Sequence, residues 1–596
     1  MTPVFIALDE RGASLARPLA SSLGGETHGL VGRTSGLDLQ FSSVRDHLAE
    51  LFVAGRPIIG ICSAGILVRT LGHLADDKAS EPPVVAVSST GDSIVPLLGG
   101  HRGANDLAIR IAGITGGHAA ITTAGDGIYG VALDAPPVGW RLANPENAKS
   151  IMSRIIGGEP FRADTNLPFD LTAHASTDAA LHLIASEASA GGGDNTLVFH
   201  PQRYVVGTGS ARNCPPEELQ ELFEAALTKT GISAGAVACI TSIDLKADER
   251  AMLELAAGID VPYRLFSADE LEAEAPGLAN PSDIVFAEVG CHGVAEGAAL
   301  AGAGPDSTLV VAKQKSANAT VAIARAPEVL DASTIGRARG TVHVIGIGPG
   351  RADWRAPEAS RLIAAADEVV GYDLYLDLVA SLIPVSKRTT FPLGKETERC
   401  AYALEQAALG RRIALISSGD AGIYAMAALV EELVADRKVS EPARRVDVQV
   451  TPGISALQAA AARIGAPLGH DFCAISLSDL LTPWEAIERR VQAAADGDFV
   501  IAFYNPVSKR RRTQLAAARD ILLTARPVET PVILATDLGR ADEHVRVTTL
   551  GDLDINDVDM LTTVMVGSTA TRIYQSAGHT RAFTPRGYAA KEFPST

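Results

Sequence analysis

Cysteine is scarce, and none of it is arranged for metal or cross-linking. The six cysteines (Cys62, Cys214, Cys239, Cys291, Cys400 and Cys473) are scattered, with no Cys-x-x-Cys pair. That spacing argues against a zinc cluster and against a disulfide framework. Most of these thiols are expected to be small buried hydrophobes. No metal-ligand cluster stands out elsewhere, so no metal is expected. No uninterrupted apolar run reaches membrane length, and no basic stretch precedes an apolar one near Met1. The expectation is a soluble cytoplasmic protein with no membrane partner. Positive charge is in deficit too: 52 Lys and Arg stand against 70 Asp and Glu, a net charge of −18. Nucleic acid is therefore a poor partner. Low-complexity tracts and short-period repeats are also missing.

What is present is ordinary core-forming material in quantity. The chain has 596 residues, 47% of them hydrophobic and 20% charged. That length predicts three to five domains, each able to bury a core. The acidity is uneven. Residues 1–340 hold 24 basic and 39 acidic residues (24 − 39 = −15), and residues 341–596 hold 28 and 31 (28 − 31 = −3). The C-terminal part suits a polycarboxylate ligand better.

Five glycine- or proline-marked turns follow one another in that part, each at the end of a strand-like run. The first is Gly346-Ile347-Gly348-Pro349-Gly350, after Val342 to Ile345. Pro349 has no N–H to donate, so a pyrophosphate cradle is a poor reading. Pro357 to Val370 then reads as a helix. The other turns are Ser418-Gly419-Asp420-Ala421-Gly422-Ile423-Tyr424, Thr451-Pro452-Gly453-Ile454-Ser455, Phe503-Tyr504-Asn505-Pro506 and Met565-Val566-Gly567-Ser568. Tight turns repeated at strand ends build a ligand crevice in an open α/β sheet. Lys509-Arg510-Arg511-Arg512 follows the fourth turn, either as a solvated helix start or as contacts to a carboxylate or the cofactor.

With Gly465 to Phe472, Ile475 to Trp484 and Phe503 to Lys509, these motifs resemble the tetrapyrrole methyltransferase family. The resemblance spans about 341–585. Leu477-Ser478-Asp479-Leu480-Leu481-Thr482-Pro483-Trp484 and Tyr504-Asn505-Pro506 point within it to the precorrin-3B C17-methyltransferases of cobalamin biosynthesis. The resemblance implies S-adenosylmethionine as cofactor, a precorrin as substrate, and C17 methylation with ring contraction to precorrin-4. It implies two α/β subdomains, 341–453 and 454–596, with the cofactor crevice between them, and allows a homodimer through this part. By resemblance, Gly348 and Pro349 line the crevice and Gly419, Asp420 and Ile423 hold the cofactor. Ser455, Tyr504, Asn505 and Thr563 lie near its adenosine or methionine ends. His470, Asp479 and Lys509 are candidate acid–base residues for the rearrangement. A methylase of the same fold acting on diphthamide or ribosomal RNA is the competing reading. The net charge and the two specific segments argue against it.

Residues 1–130 alternate strand-like and helix-like runs. Gly99-Gly100-His101-Arg102-Gly103-Ala104-Asn105 places His101 at a strand-to-helix turn, a position for acid–base chemistry. With Ile121 to Asp126 this segment resembles the cobalt-precorrin-5A hydrolase family, the cobalamin biosynthesis G family. Two departures stand out, one glycine fewer before Ala104 and Gly125 in place of threonine. Residues 131–202 match poorly, and 203–326 resemble that family's C-terminal domain. There Gly207-x-Gly209 mimics a dinucleotide loop without the following ribose-binding acid. Cys291-His292 offers a nucleophile without a visible base, and Glu296 starts a helix. Residues 327–340 read as a linker. The resemblance implies either a lactone-opening hydrolase or a non-catalytic corrinoid-binding module fused to the methylase. The whole chain is thus expected to be multidomain α/β.

Overall fold

The computed structural model describes residues 1–76, 81–122, 133–171, 173–508 and 511–588. They form two compact units. One takes 1–342 with the short returns 404–413 and 437–447, and the other takes the remainder.

The first unit begins with a seven-stranded sheet. Its spatial order is Leu39–Phe41, Glu26–Leu30, Val4–Ala7, Ile58–Ile61, Val84–Val87, Ser93–Leu98 and His118–Ala119. The first five strands are parallel, and Ser93–Leu98 runs against Val84–Val87. The central strands are apolar on both sides because helices cover both faces. Phe5 and Ala7 pack with Leu19 and Ile111, while Val4 and Ile6 pack with Leu48 and Leu67.

Residues 140–201, part of the stretch whose family resemblance is poor, nonetheless fold. They make a four-stranded sheet of Trp140–Leu142, Thr196–Pro201, Leu181–Ala185 and Phe161–Ala163. Its core centres on Ile151, Leu183 and Phe199. The next sheet has six strands: Thr308–Lys315, Ala319–Arg325, Tyr204–Ser210, Val237–Ile243, Tyr263–Phe266 and Arg337–Ala338. The last of these lies in the expected linker. It pairs antiparallel with Tyr263–Phe266, and the Arg337 guanidinium reaches Asp244 at 3.0 Å. Gly207 has a packing reason. A Cβ there would sit 1.9 Å from the carbonyl of Ala295, so the helix Val294–Ala303 lies directly on this strand.

A buried polar cluster sits in the first sheet. His28 Nδ1 and His47 Nε2 are 2.9 Å apart. Glu26 lies 3.5 Å from His28 Nε2 and pairs with the Arg56 guanidinium. His47 stacks on Phe41 with ring centroids 4.3 Å apart. Burial lowers both imidazoles, His47 from 6.5 to about 3. His47 is thus neutral in the fold at neutral pH but protonates near 6.5 once unfolded. Between pH 6.5 and about 3 the unfolded chain binds more protons, so stability falls as pH falls. His47 alone should remove about 2 kcal/mol between neutral pH and pH 5. Urea melts of the full chain at pH 7.5 and 5 should show this loss. His47→Gln should flatten the slope; an unchanged slope would refute the assignment.

The other two main sheets lie mostly in the second unit. Arg388–Thr390, Glu368–Gly371, Arg412–Ser417, Thr341–Gly346 and Asp447–Thr451 form one. Phe472–Ser476, Val500–Tyr504, Thr562–Val566, Pro531–Thr536 and His544–Thr549 form the next, with a small three-stranded sheet beside it. The helix expected over 357–370 ends at Ala365. Ala366 is extended, and Glu368–Gly371 is a buried strand. Adjacent β-branched Val369 and Val370 favour that outcome once both sheet faces are covered.

Candidate functional site

Four of the five turns at the strand ends of the second unit converge. The fifth, Met565-Val566-Gly567-Ser568, lies at the far edge of its sheet, because Thr562–Val566 runs antiparallel to Val500–Tyr504 and only its first residues reach the cleft. Gly348 N–H donates to the Gly419 carbonyl at 3.1 Å, and Gly419 N–H returns a bond to the Gly348 carbonyl at 2.8 Å. Gly453 joins them from the third turn. A Cβ on Gly453 would lie 2.1 Å from the Gly419 carbonyl oxygen and 2.7 Å from that of Gly346. Glycine is required there because three backbones stack with no room for a side chain. Asp420 ties the same turns together. Its Oδ1 accepts from Gly422 N–H at 2.8 Å and its Oδ2 from Gly453 N–H at 3.1 Å.

A cavity of about 210 Å³ opens beside this knot. Pro349, Gly419, Asp420, Ile423, Ser455, Tyr504, Asn505 and Thr563 all line it. Gly348 stands behind them, through its bridge to Gly419. Ser455 caps the helix Ala456–Ile464 in a reciprocal box with Gln458. The Tyr504 hydroxyl accepts from Leu457 N–H at 3.2 Å, and burial raises its pKa. Asn505 Nδ2 donates to Ser476 Oγ at 3.2 Å. Tyr424 faces Tyr504, ring centroids 5.3 Å apart, and donates to the Ala474 carbonyl at 2.8 Å.

The lining residues that escape the motif reading include Tyr375, Asp537, Arg540 and Met560. Asp537-Leu538-Gly539, a turn after Pro531–Thr536, is a signal of the same kind as the five others. Backbone strain marks the cleft as well. Tyr424, Asn505 and Asp537 have φ of 51°, 49° and 50°. They are three of the nine non-glycine residues with positive φ among the described residues. Such conformations cost about 1–3 kcal/mol each and gather at functional sites.

Two of the acid–base candidates, His470 and Asp479, lie elsewhere. His470 is exposed and lies 3.2 Å from the Asp471 carboxylate. Asp479 accepts from Gln514 Nε2 at 2.8 Å. Neither lines the cavity. Lys509 lies outside the described residues. In the basic run, Arg511 donates to Ser478 Oγ at 3.1 Å and to the Asn505 carbonyl at 2.8 Å, and Arg512 donates to the Ile555 carbonyl. These two guanidinium groups hold loops.

In the first unit, His101 sits in the short helix Gly100–Arg102, after Ser93–Leu98. That strand runs antiparallel to Val84–Val87, so its end lies at the amino edge of the parallel strands, Leu98 opposite Val84. The crevice of this sheet is at the other edge. It has a volume of about 490 Å³ and is lined by Leu8, Asp9, Cys62, Ser63 and Ser88. Gly125 and Asp126 lie outside the described residues. Cys291 is fully buried and its thiol is raised by burial. The Glu296 carboxylate is a brace, accepting from Asn280 N–H and Lys313 N–H at 2.9 and 2.7 Å.

Comparison with known proteins places this geometry. Residues 341–554 match the model of the tetrapyrrole (corrin/porphyrin) methylases. A precorrin-3B C(17)-methyltransferase of a Sinorhizobium species is 47% identical over 251 residues, 42% of this chain and 98% of that protein. The chain belongs to the tetrapyrrole methylases. A cobalt-factor III methyltransferase of Priestia megaterium is 42% identical over 253 residues, 42% of this chain and 46% of that protein. The methyltransferase CobJ, in its crystal structure, is 40% identical, with 41% of this chain and 100% of that chain covered and a TM-score of 0.38. Ahead of the methylase, residues 46–126 match cobalamin synthesis G N-terminal and residues 204–324 match cobalamin synthesis G C-terminus. The chain is thus a fusion of cobalamin synthesis G domains with a tetrapyrrole methylase.

The methylase cleft suits the S-adenosylmethionine that this family uses. Its walls are backbone groups, the hydroxyls of Ser455 and Thr563, and the rings of Tyr424 and Tyr504. Hydrogen-bonding walls hold a nucleoside and an amino-acid end, and tyrosine faces favour a cation. Arg540 is the one basic residue among the lining residues, and it pairs with Asp537 at 3.7 Å. A site for phosphates would need more donors.

Proposed function

We propose that residues 341–596 methylate a precorrin-3B-type tetrapyrrole, or its cobalt form, at C17 in cobalamin biosynthesis. One observation carries the reading: four of the strand-end turns line a single cleft, in a region 47% identical to a precorrin-3B C(17)-methyltransferase. Bound S-adenosylmethionine supplies a methyl group already activated by its sulfonium. The chain then has to align and to exclude water. Gly346, Gly419 and Gly453 fix the cleft floor. Asp420 fixes the loops, and Ser455, Tyr504 and Asn505 orient the ligand's polar ends. Ring contraction accompanies this methylation. The test is mass spectrometry of the full chain incubated with S-adenosylmethionine and either precorrin-3B or cobalt-factor III. A gain of one methyl group supports the reading, and no gain with either substrate refutes it.

Asp420 acts in this scheme through its two backbone bonds. Asp420→Asn keeps one amide oxygen as an acceptor, so cofactor affinity should fall by about tenfold while turnover stays measurable. Loss of about four orders of magnitude in rate with affinity intact, the scale of an essential proton-transfer group, would contradict this.

The cobalamin synthesis G half we read as a module of the same pathway, lactone-opening or corrinoid-shielding, with His101 as its candidate acid–base residue. Its family matches support the pathway. Supplying cobalt-precorrin-5A to the full chain separates the two readings. Acetaldehyde release that vanishes in His101→Ala means catalysis, binding without release means shielding, and neither refutes both.

A further inference from the structure

Leu480 and Leu481 are 84% and 99% exposed, though the loop that carries them is firmly held. Leu477 N–H donates to the Tyr504 carbonyl at 2.9 Å. Ser476 Oγ accepts from Asn505 Nδ2 and from Ser478 N–H, at 3.2 and 3.3 Å. Ser478 Oγ accepts from Arg511 at 3.1 Å, and Asp479 accepts from Gln514 at 2.8 Å. Beyond the pair, Trp484 packs against the core. Polar ties on one side and an aromatic anchor on the other keep two adjacent leucines in water. Folding gains nothing from that placement.

The loop leaves the sheet at the cleft. Strand Phe472–Ser476 runs parallel to Val500–Tyr504, with Ser476 opposite Tyr504. Tyr504 and Asn505 are cleft walls, and Tyr424 bonds to Ala474 on the neighbouring strand. Other apolar groups of the cleft rim are exposed too: Tyr424 at 54%, Met560 at 57% and Leu561 at 46%. A reduced tetrapyrrole is a broad apolar ring with ionised carboxylates at its edge. It needs an apolar surface against its face, which a cofactor held in the cleft does not.

We propose that Leu480 and Leu481 form an apolar ledge on which one face of the tetrapyrrole macrocycle rests, setting affinity for that substrate and not for the cofactor. This rests on the methyl-transfer reading above. The loop is continuous with the cleft wall, which argues for the ring over a second copy of the chain.

The test is Leu480→Ser with Leu481→Ser in the full chain. With precorrin-3B varied at saturating S-adenosylmethionine, KM should rise about tenfold or more while kcat changes less than about twofold. Calorimetric affinity for S-adenosylmethionine and the melting temperature should hold, since both side chains are in water. Leu480→Met with Leu481→Met should restore KM. An unchanged KM in the serine variant overturns the proposal. If sedimentation then shows that the variant has lost an oligomer, the pair belongs to a contact between copies. If the unsubstituted chain neither binds nor methylates precorrin-3B, the functional reading itself fails, and the ledge fails with it. A competent parent beside an unaffected variant removes the ledge alone.

Discussion

Gly453→Ala is expected to abolish most methyl transfer. The new methyl would sit 2.1 Å from the Gly419 carbonyl oxygen and 2.7 Å from that of Gly346. Both contacts are backbone, so no side chain can swing away. One of the three turns must move, and it carries Asp420 or the Ser455 cap with it. A displacement of about 1 Å in a positioning site costs on the order of a hundredfold in rate. Cofactor affinity should fall with it, because the same turns line the cleft. Stability should drop by only about 1–3 kcal/mol, the usual scale of overpacking. Parallel calorimetry and turnover measurements check this. A variant that melts normally and binds S-adenosylmethionine with parental affinity would show that the glycine knot does not shape the cleft.

Arg526→Met should give the largest loss of stability. The Arg526 side chain is fully buried. Its guanidinium donates to the carbonyls of Gly567, Phe499 and Ala494 at 2.5, 2.7 and 3.1 Å. It thereby ties the end of Thr562–Val566 to the start of Val500–Tyr504. Methionine fills much of the volume but leaves the Gly567 and Phe499 carbonyls without that donor, while the Ala494 carbonyl keeps the Phe499 N–H at 3.1 Å. Each buried unpaired group costs about 1–3 kcal/mol, so with two of them a loss of about 2–6 kcal/mol is expected. In a domain of this size that corresponds to roughly 6 °C or more in Tm. Arg526→Lys should recover only part, since an ammonium cannot span the fork. A Met variant within about 1 °C of the parent would mean that these carbonyls find other donors.

Much of the local structure was legible in the residues. Val84–Val87 and Ile58–Ile61 are short apolar runs bounded by proline or glycine, and both are central strands. The turn at Gly348-Pro349-Gly350 and the Ser418 to Tyr424 loop fall where strand patterns stop. Eight of the nine residues assigned to the cofactor by resemblance line one cleft, with Gly348 directly behind. Reading failed where periodicity was ambiguous. Pro357 to Val370 is apolar enough to pass for one helix, but it holds a helix and then a strand. Arg337–Ala338 carries no strand pattern, and only its pairing with Tyr263–Phe266 makes it one.

The sequence by itself determined most of the order of elements, the places of the turns and the family of both halves. All of these depend on neighbours within a few residues or on motifs carried along the chain. The tertiary structure decided which turns meet. Asp537, Arg540 and Met560 reach the cleft because Thr562–Val566 lies between Val500–Tyr504 and Pro531–Thr536, and chain order alone does not specify that arrangement. It also set His101 and the crevice at opposite edges, because Ser93–Leu98 runs antiparallel to its neighbour. Strand order and direction follow from burying apolar faces between distant segments. A strand's own residues record that it will be buried, but not which end of it will face a ligand.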